Sequence, residues 1–114
     1  MIQIYHNPRC GKSRNCLALL NDTSIENQII KYLDNPPTYE ELVSLLTKLK
    51  LEPIALVRQK EKVWIENYKN KFLTDEEIIK TMILHPILIE RPILVKRDKA
   101  MIARDLDKIY DFLK

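Results

Sequence analysis

The chain has 114 residues, 46% of them hydrophobic and 31% charged, with a formal net charge of +3. That length suits one compact domain with one core, and no apolar run approaches the roughly 20 residues that span a bilayer. The charge excess is too small and too dispersed to indicate nucleic acid, and two cysteines behind no visible secretory leader fit a reducing cytoplasm rather than a disulfide framework.

Residues 1–5 read as a first strand, ended by the breaker Asn7-Pro8. From about Cys10 to Leu20 the pattern is helical, with Ser13, Cys16, Leu17 and Leu20 on one face. Asn21–Ser24 is a polar break, and Glu26–Tyr32 reads as a second strand. The result is a βαβ unit whose first two strands run parallel. Pro36-Pro37 stops it. Thr38-Tyr39-Glu40-Glu41 is a capping box for a helix with a Leu42, Leu45, Leu46, Leu49 stripe. Pro53 opens a short helix towards Arg58, and residues 60–68 read as another. A second box, Thr74-Asp75-Glu76-Glu77, starts a helix carrying Ile78, Ile79, Met82 and Ile83, which Pro86 ends, with His85 as its cap. Ile93–Val95 and Ala100–Ala103 form a hairpin around a charged tip without glycine. Asp105 caps a last helix carrying Leu106, Ile109, Tyr110 and Leu113. The expectation is an α/β chain with a mixed sheet: βαβ, a helical insertion over about residues 38–85, then ββα, all in a single domain spanning 1–114.

The chemistry gathers in Tyr5-His6-Asn7-Pro8-Arg9-Cys10-Gly11-Lys12-Ser13-Arg14-Asn15. Strand, turn, cysteine, helix places the Cys10 sulfur beside unpaired N–H groups at a helix N-terminus, where an anion is favoured. That position lowers a thiol pKa and makes Cys10 a candidate nucleophile. Arg9, Lys12 and Arg14 add positive neighbours. His6 is either a partner that keeps the thiol ionised or a structural residue of the turn. Asn7 and Ser13 are candidate donors to the sulfur or to a bound anion. Ser13 stands where dithiol oxidoreductases carry a second cysteine, so no C-x-x-C disulfide is available. On a helix, Cys16 lies about 9 Å along the axis from Cys10 and falls on the apolar stripe, which favours packing over a resolving role. The spacing of cysteines and histidines matches no zinc pattern. A phosphate-binding P-loop is excluded because His6 stands where its first glycine belongs. A cysteine–five residues–arginine phosphatase motif is excluded because Cys16 occupies the arginine position.

This stretch resembles the active-site segment of the arsenate reductase family linked to glutathione and glutaredoxin, which has a thioredoxin-like fold, a single catalytic cysteine and kinship with the Spx proteins. Leu33–Thr38, Val57–Glu61 and His85–Ile93 resemble three further segments of that family, in register across nearly the whole chain. The resemblance implies Cys10 as the catalytic residue and Arg58, Arg91 and Arg104 as oxyanion ligands, the last by its spacing of thirteen after Arg91. Guanidinium forks suit a tetrahedral oxyanion because each pairs with two oxygens. It also implies that Pro92 is cis and faces the cysteine, with His6, Asn7, Ser13 and Arg14 supporting.

The activity implied is reduction of arsenate to arsenite through a cysteine–arsenate adduct, with glutathione as co-substrate, glutaredoxin as partner and no bound cofactor or metal. A cytoplasmic monomer that binds neither membrane nor nucleic acid is expected. Two other readings use the same framework. One is an Spx-like redox-responsive transcription regulator, against which Ser13 breaks the usual C-x-x-C switch. The other is a glutathione-dependent thiol transferase with the same nucleophile.

Overall fold

The computed structural model describes residues 1–114. In chain order the elements begin with β1 (Ile2–Tyr5), α1 (Gly11–Asp22) and β2 (Asn27–Ile30). Three helices follow: α2 (Tyr39–Leu49), α3 (Lys62–Asn67) and α4 (Asp75–Leu84), with 3₁₀ turns at Pro53–Leu56 and Pro86–Leu88. The chain closes with β3 (Ile93–Lys96), β4 (Lys99–Ile102) and α5 (Leu106–Leu113). Contacts divide it into two units, residues 1–35 with 91–114, and residues 36–90.

The first unit is a four-stranded sheet in the order β2-β1-β3-β4. β1 is parallel to β2, with Ile4 opposite Ile29, and antiparallel to β3, with Ile4 opposite Leu94. Strand alternation sends Ile2, Ile4 and Leu94 to one face, where they pack with Cys16, Leu19 and Leu20 of α1 and Ile109 of α5. Mixed sheet, parallel βαβ start and antiparallel ββα end make this the thioredoxin-like fold expected from the sequence.

One apolar face differs from expectation. In α1 the buried set is Ser13, Cys16, Leu19 and Leu20, while Leu17 is only half-buried. In α5, Leu106 and Tyr110 are 57% and 49% exposed, and Ile109 faces inward with Phe112 and Leu113 beside the core. β2 is also shorter than Glu26–Tyr32. After Ile30 the chain turns, with the Asp34 and Asn35 N–H groups donating to the Lys31 carbonyl. The hairpin pairs Lys96 with Lys99, leaving Arg97 and Asp98 as its tip, and Arg97 takes the positive φ of 58° that glycine usually supplies.

The second unit is helical. Both expected capping boxes are formed: the Thr38 hydroxyl accepts from the Glu41 N–H while Glu41 accepts from the Thr38 N–H, and Thr74 and Glu77 do the same. α2 buries Leu42, Leu45 and Leu46, and α4 packs against it and against both 3₁₀ turns. α3 is a short helix anchored by buried Trp64, whose ring stacks on Tyr68. His85 does end α4, its N–H donating to the Thr81 carbonyl, and its ring meets Tyr68 edge-on.

Candidate active site

β1 ends at Tyr5, and the next five residues, 6–10, form a loop tied down by backbone and side-chain hydrogen bonds. The His6 N–H still pairs with the Ile30 carbonyl at 2.9 Å, so the loop leaves the sheet from a fixed point. The Asn7 Oδ1 accepts the Arg9 N–H at 3.0 Å, and the Asn7 carbonyl accepts the Cys10 N–H at 3.0 Å. This turn, closed by an asparagine side chain, is what the Asn7-Pro8 breaker builds. The Arg14 Nη1 donates to the Pro8 carbonyl at 3.0 Å and closes the loop from the far side.

Cys10 is then the N-cap of α1, with extended backbone at φ −97° and ψ 124°, and its carbonyl accepts the first helical bond from Arg14. Gly11 follows as the first helical residue. A Cβ there would meet only the Arg14 guanidinium, at 3.7 Å, so the sole glycine is not a conformational necessity.

Partial burial by itself would push the Cys10 thiol up. Opposing it are the Ser13 and Lys12 backbone N–H groups and the charge and hydrogen bonding of the Arg91 guanidinium. The net effect holds the pKa below the ordinary thiol value. No capping bond to the sulfur meets strict hydrogen-bond geometry; the amides act as nearby oriented dipoles, which suffices to favour the anion. Arg9 and Arg14, expected to act on the thiol as neighbouring charges, are not among the groups that shift it, and Lys12 acts through its amide.

Ser13 is fully buried, and its hydroxyl ties the loop together. It accepts the Asn7 N–H at 2.9 Å and lies 2.7 Å from His6 Nδ1. Burial, with Lys31 and Arg14 nearby, lowers the His6 pKa despite the Ser13 bond, so the ring is neutral at pH 7. The hydroxyl thus bridges the Asn7 amide and the His6 ring, and the tautomer of the ring sets which of Oγ and Nδ1 donates. His6 therefore holds Ser13 and brings no charge to the thiol. The Asn7 carboxamide oxygen is likewise spent within the loop.

Cys16 is buried in the core, and burial pushes its thiol up to about 11. Pro92 is buried and follows a cis Arg91–Pro92 peptide, and its carbonyl accepts the Ala103 N–H at 2.8 Å. Of the expected arginines, Arg91 acts directly on the Cys10 sulfur. Arg104 lies at the entry to α5 and borders a groove of about 500 Å³ shared with Lys12, Cys16 and Tyr110. Arg58, in the helical unit, pairs with Glu61 at 2.9 Å and with Glu90 at 3.8 Å. The Lys12 and Ser13 amides are the unpaired helix N–H groups expected beside the sulfur, whereas sequence reasoning missed the two glutamates. The i,i+3 spacing of Arg58 and Glu61 was a signal for one of them.

No group of three or more His, Cys, Asp or Glu is placed to hold a metal ion, and no helix is long and apolar enough to cross a membrane. The profile of the ArsC family matches residues 5–112. An arsenate reductase of Escherichia coli is 40% identical over 119 aligned positions, covering 99% of this chain and 81% of that protein. One from Neisseria meningitidis serogroup A is 38% identical, covering 95% and 94%. The solved arsenate reductase from Vibrio cholerae superposes with a TM-score of 0.90 at 42% identity, covering 96% of this chain and 95% of that one.

Proposed function

The chain belongs to the ArsC family, and we propose on that premise that it is an arsenate reductase, an oxidoreductase whose nucleophile is Cys10. The observation that carries the assignment is the Cys10 sulfur at the N-cap of α1, facing the Ser13 and Lys12 amides and the Arg91 guanidinium. A thiolate and an arginine side by side suit attack on a tetrahedral oxyanion: the sulfur supplies the electron pair and the guanidinium holds the oxygens.

In this mechanism the Cys10 thiolate attacks arsenic, and one arsenate oxygen leaves as water, giving a sulfur-bound As(V) adduct. Reduction to As(III) takes two electrons, the number released when two thiols form one disulfide. Cys16 is a poor second thiol, being buried with its pKa raised to about 11. The second and third sulfurs therefore come from outside, and glutathione and glutaredoxin fit those roles. Glutathione adds to the arsenic of the adduct with loss of water; a glutaredoxin thiolate then takes the glutathione sulfur as a mixed disulfide and leaves the electron pair on arsenic, now As(III). Water cleaves the Cys10–arsenic bond, which frees the thiol and releases arsenite. Arg91 grips the oxyanion beside the sulfur, and Arg58 and Arg104 are its further ligands. His6, Asn7, Ser13 and Arg14 hold the loop, and Pro92 fixes the backbone next to Arg91. Free thiols suit a reducing cytoplasm, and the reading proposed is of a cytoplasmic, single-domain monomer with no bound cofactor.

Arsenite release from arsenate with glutathione and glutaredoxin tests the assignment. The parent protein should turn over and Cys10→Ser should not. A parent that reduces glutathione mixed disulfides but leaves arsenate untouched would point to a thiol transferase instead.

A further inference from the structure

Arg58 does not present a bare guanidinium. Its three nitrogens meet three acceptors: Glu61 Oε1 lies 2.9 Å from Nη2, the Ile87 carbonyl 3.3 Å from Nη1, and Glu90 Oε1 3.8 Å from Nε. The pairs are largely shielded, with side-chain exposures of 19% for Arg58 and Glu90 and 24% for Glu61. Ile87 and Glu90 belong to a segment that backbone pairing fixes beside Arg58. Val57 bridges Ile89, the Arg58 N–H donates to the Leu88 carbonyl at 2.7 Å, and the Glu90 N–H donates to the Leu56 carbonyl at 2.9 Å.

Glu61 is held differently. It sits at the turn into α3 without capping that helix, and the side-chain bond it makes is the one to Arg58. An oxyanion that takes the Nη2 edge of Arg58 must first displace the Glu61 carboxylate.

We propose that Glu61 is a displaceable latch on Arg58, a carboxylate that occupies the oxyanion edge of the guanidinium at rest and so lowers the affinity for oxyanion. The proposal rests on Arg58 being an oxyanion ligand, as assigned above. In physical terms Glu61 holds the arginine in its binding orientation while the site is empty, then swings out to solvent from its exposed turn. Affinity is then set by a competition between two anions for one fork.

Titration calorimetry of arsenate into the Cys10→Ser protein, which binds without turnover, tests this. Adding Glu61→Gln should tighten binding about three- to fivefold, the scale of a partly exposed ion pair. Unchanged binding overturns the latch. Weaker binding overturns it too, making Glu61 a positioning residue. Arg58→Ala in the same background tests the underlying assignment separately and should weaken arsenate binding. If it does not, Arg58 is no oxyanion ligand, and the latch falls with it. The Arg58→Ala, Glu61→Gln combination should lose the gain given by Glu61→Gln alone; a gain that persists means Glu61 acts through another group. Thermal melts of each variant confirm that the fold is intact.

Discussion

Cys10 and Cys16 are the same residue type six positions apart, and their environments drive them in opposite directions. Cys10 faces amides and Arg91, which lower its pKa, whereas burial lifts Cys16 to about 11. Iodoacetamide labelling near neutral pH, followed by peptide mapping, should therefore modify Cys10 much faster than Cys16; equal rates would remove the nucleophile assignment. Arg91 acts on both sulfur and oxyanion, so its substitutions should show in two measurements. Arg91→Lys keeps the charge but loses the planar fork, and it should lower kcat/KM for arsenate by roughly tenfold or more, the scale of about 1.5–3 kcal/mol for a charge-assisted hydrogen bond. Arg91→Ala should cost more and should also raise the pH at which Cys10 becomes reactive. An unchanged pH profile with lost arsenate turnover would confine Arg91 to the oxyanion. Sequence reasoning reached Cys10 because strand, breaker and helix are local patterns. It could not find the neutral, Ser13-bound state of His6, since burial and the positions of Lys31 and Arg14 decide that.

Elements whose boundaries are set by adjacent residues were legible, and those set by distant packing were not. Both capping boxes formed as the sequence indicated because each is a four-residue exchange of hydrogen bonds. Thr38→Ala and Thr74→Ala should each lower unfolding stability by about 1 kcal/mol in urea denaturation. A loss below about 0.3 kcal/mol would mean that the α2 and α4 ends are held by packing instead. The hairpin tip offers the opposite change. Arg97 occupies a positive φ that costs a side-chain-bearing residue energy, so Arg97→Gly should leave stability equal or raise it by up to about 1 kcal/mol. Leu106 fits the helical spacing of α5 but lies at the helix start, where 57% of it remains in water. β2 is shorter than its apolar run suggests because the Lys31 turn ends it.

Across the whole molecule, the βαβ and ββα halves were readable because each is contiguous in sequence, and the sheet joins them by pairing β1 with β3. The meeting of Arg91 with Cys10 follows from that pairing. No local pattern encodes it; family resemblance pointed to Arg91, but only as an oxyanion ligand. His6 adds a pH dependence to the stability of the folded chain. Its pKa is lowered in the folded state, so the unfolded chain binds more protons as pH falls through the ordinary histidine value of about 6.5. Stability should therefore fall below that pH, and His6→Gln should flatten the decline; matching slopes would show that His6 is not the group responsible. The account as a whole rests on one reactive thiol inside the chain and two from outside. Intact-mass spectrometry after reaction with arsenate and glutathione, with glutaredoxin omitted, reads this directly. One arsenic and one glutathione per chain should be found on Cys10, with Cys16 unmodified and arsenite released once glutaredoxin is added. An internal disulfide between Cys10 and Cys16, or arsenite formed while Cys10 stays unmodified, would contradict the account.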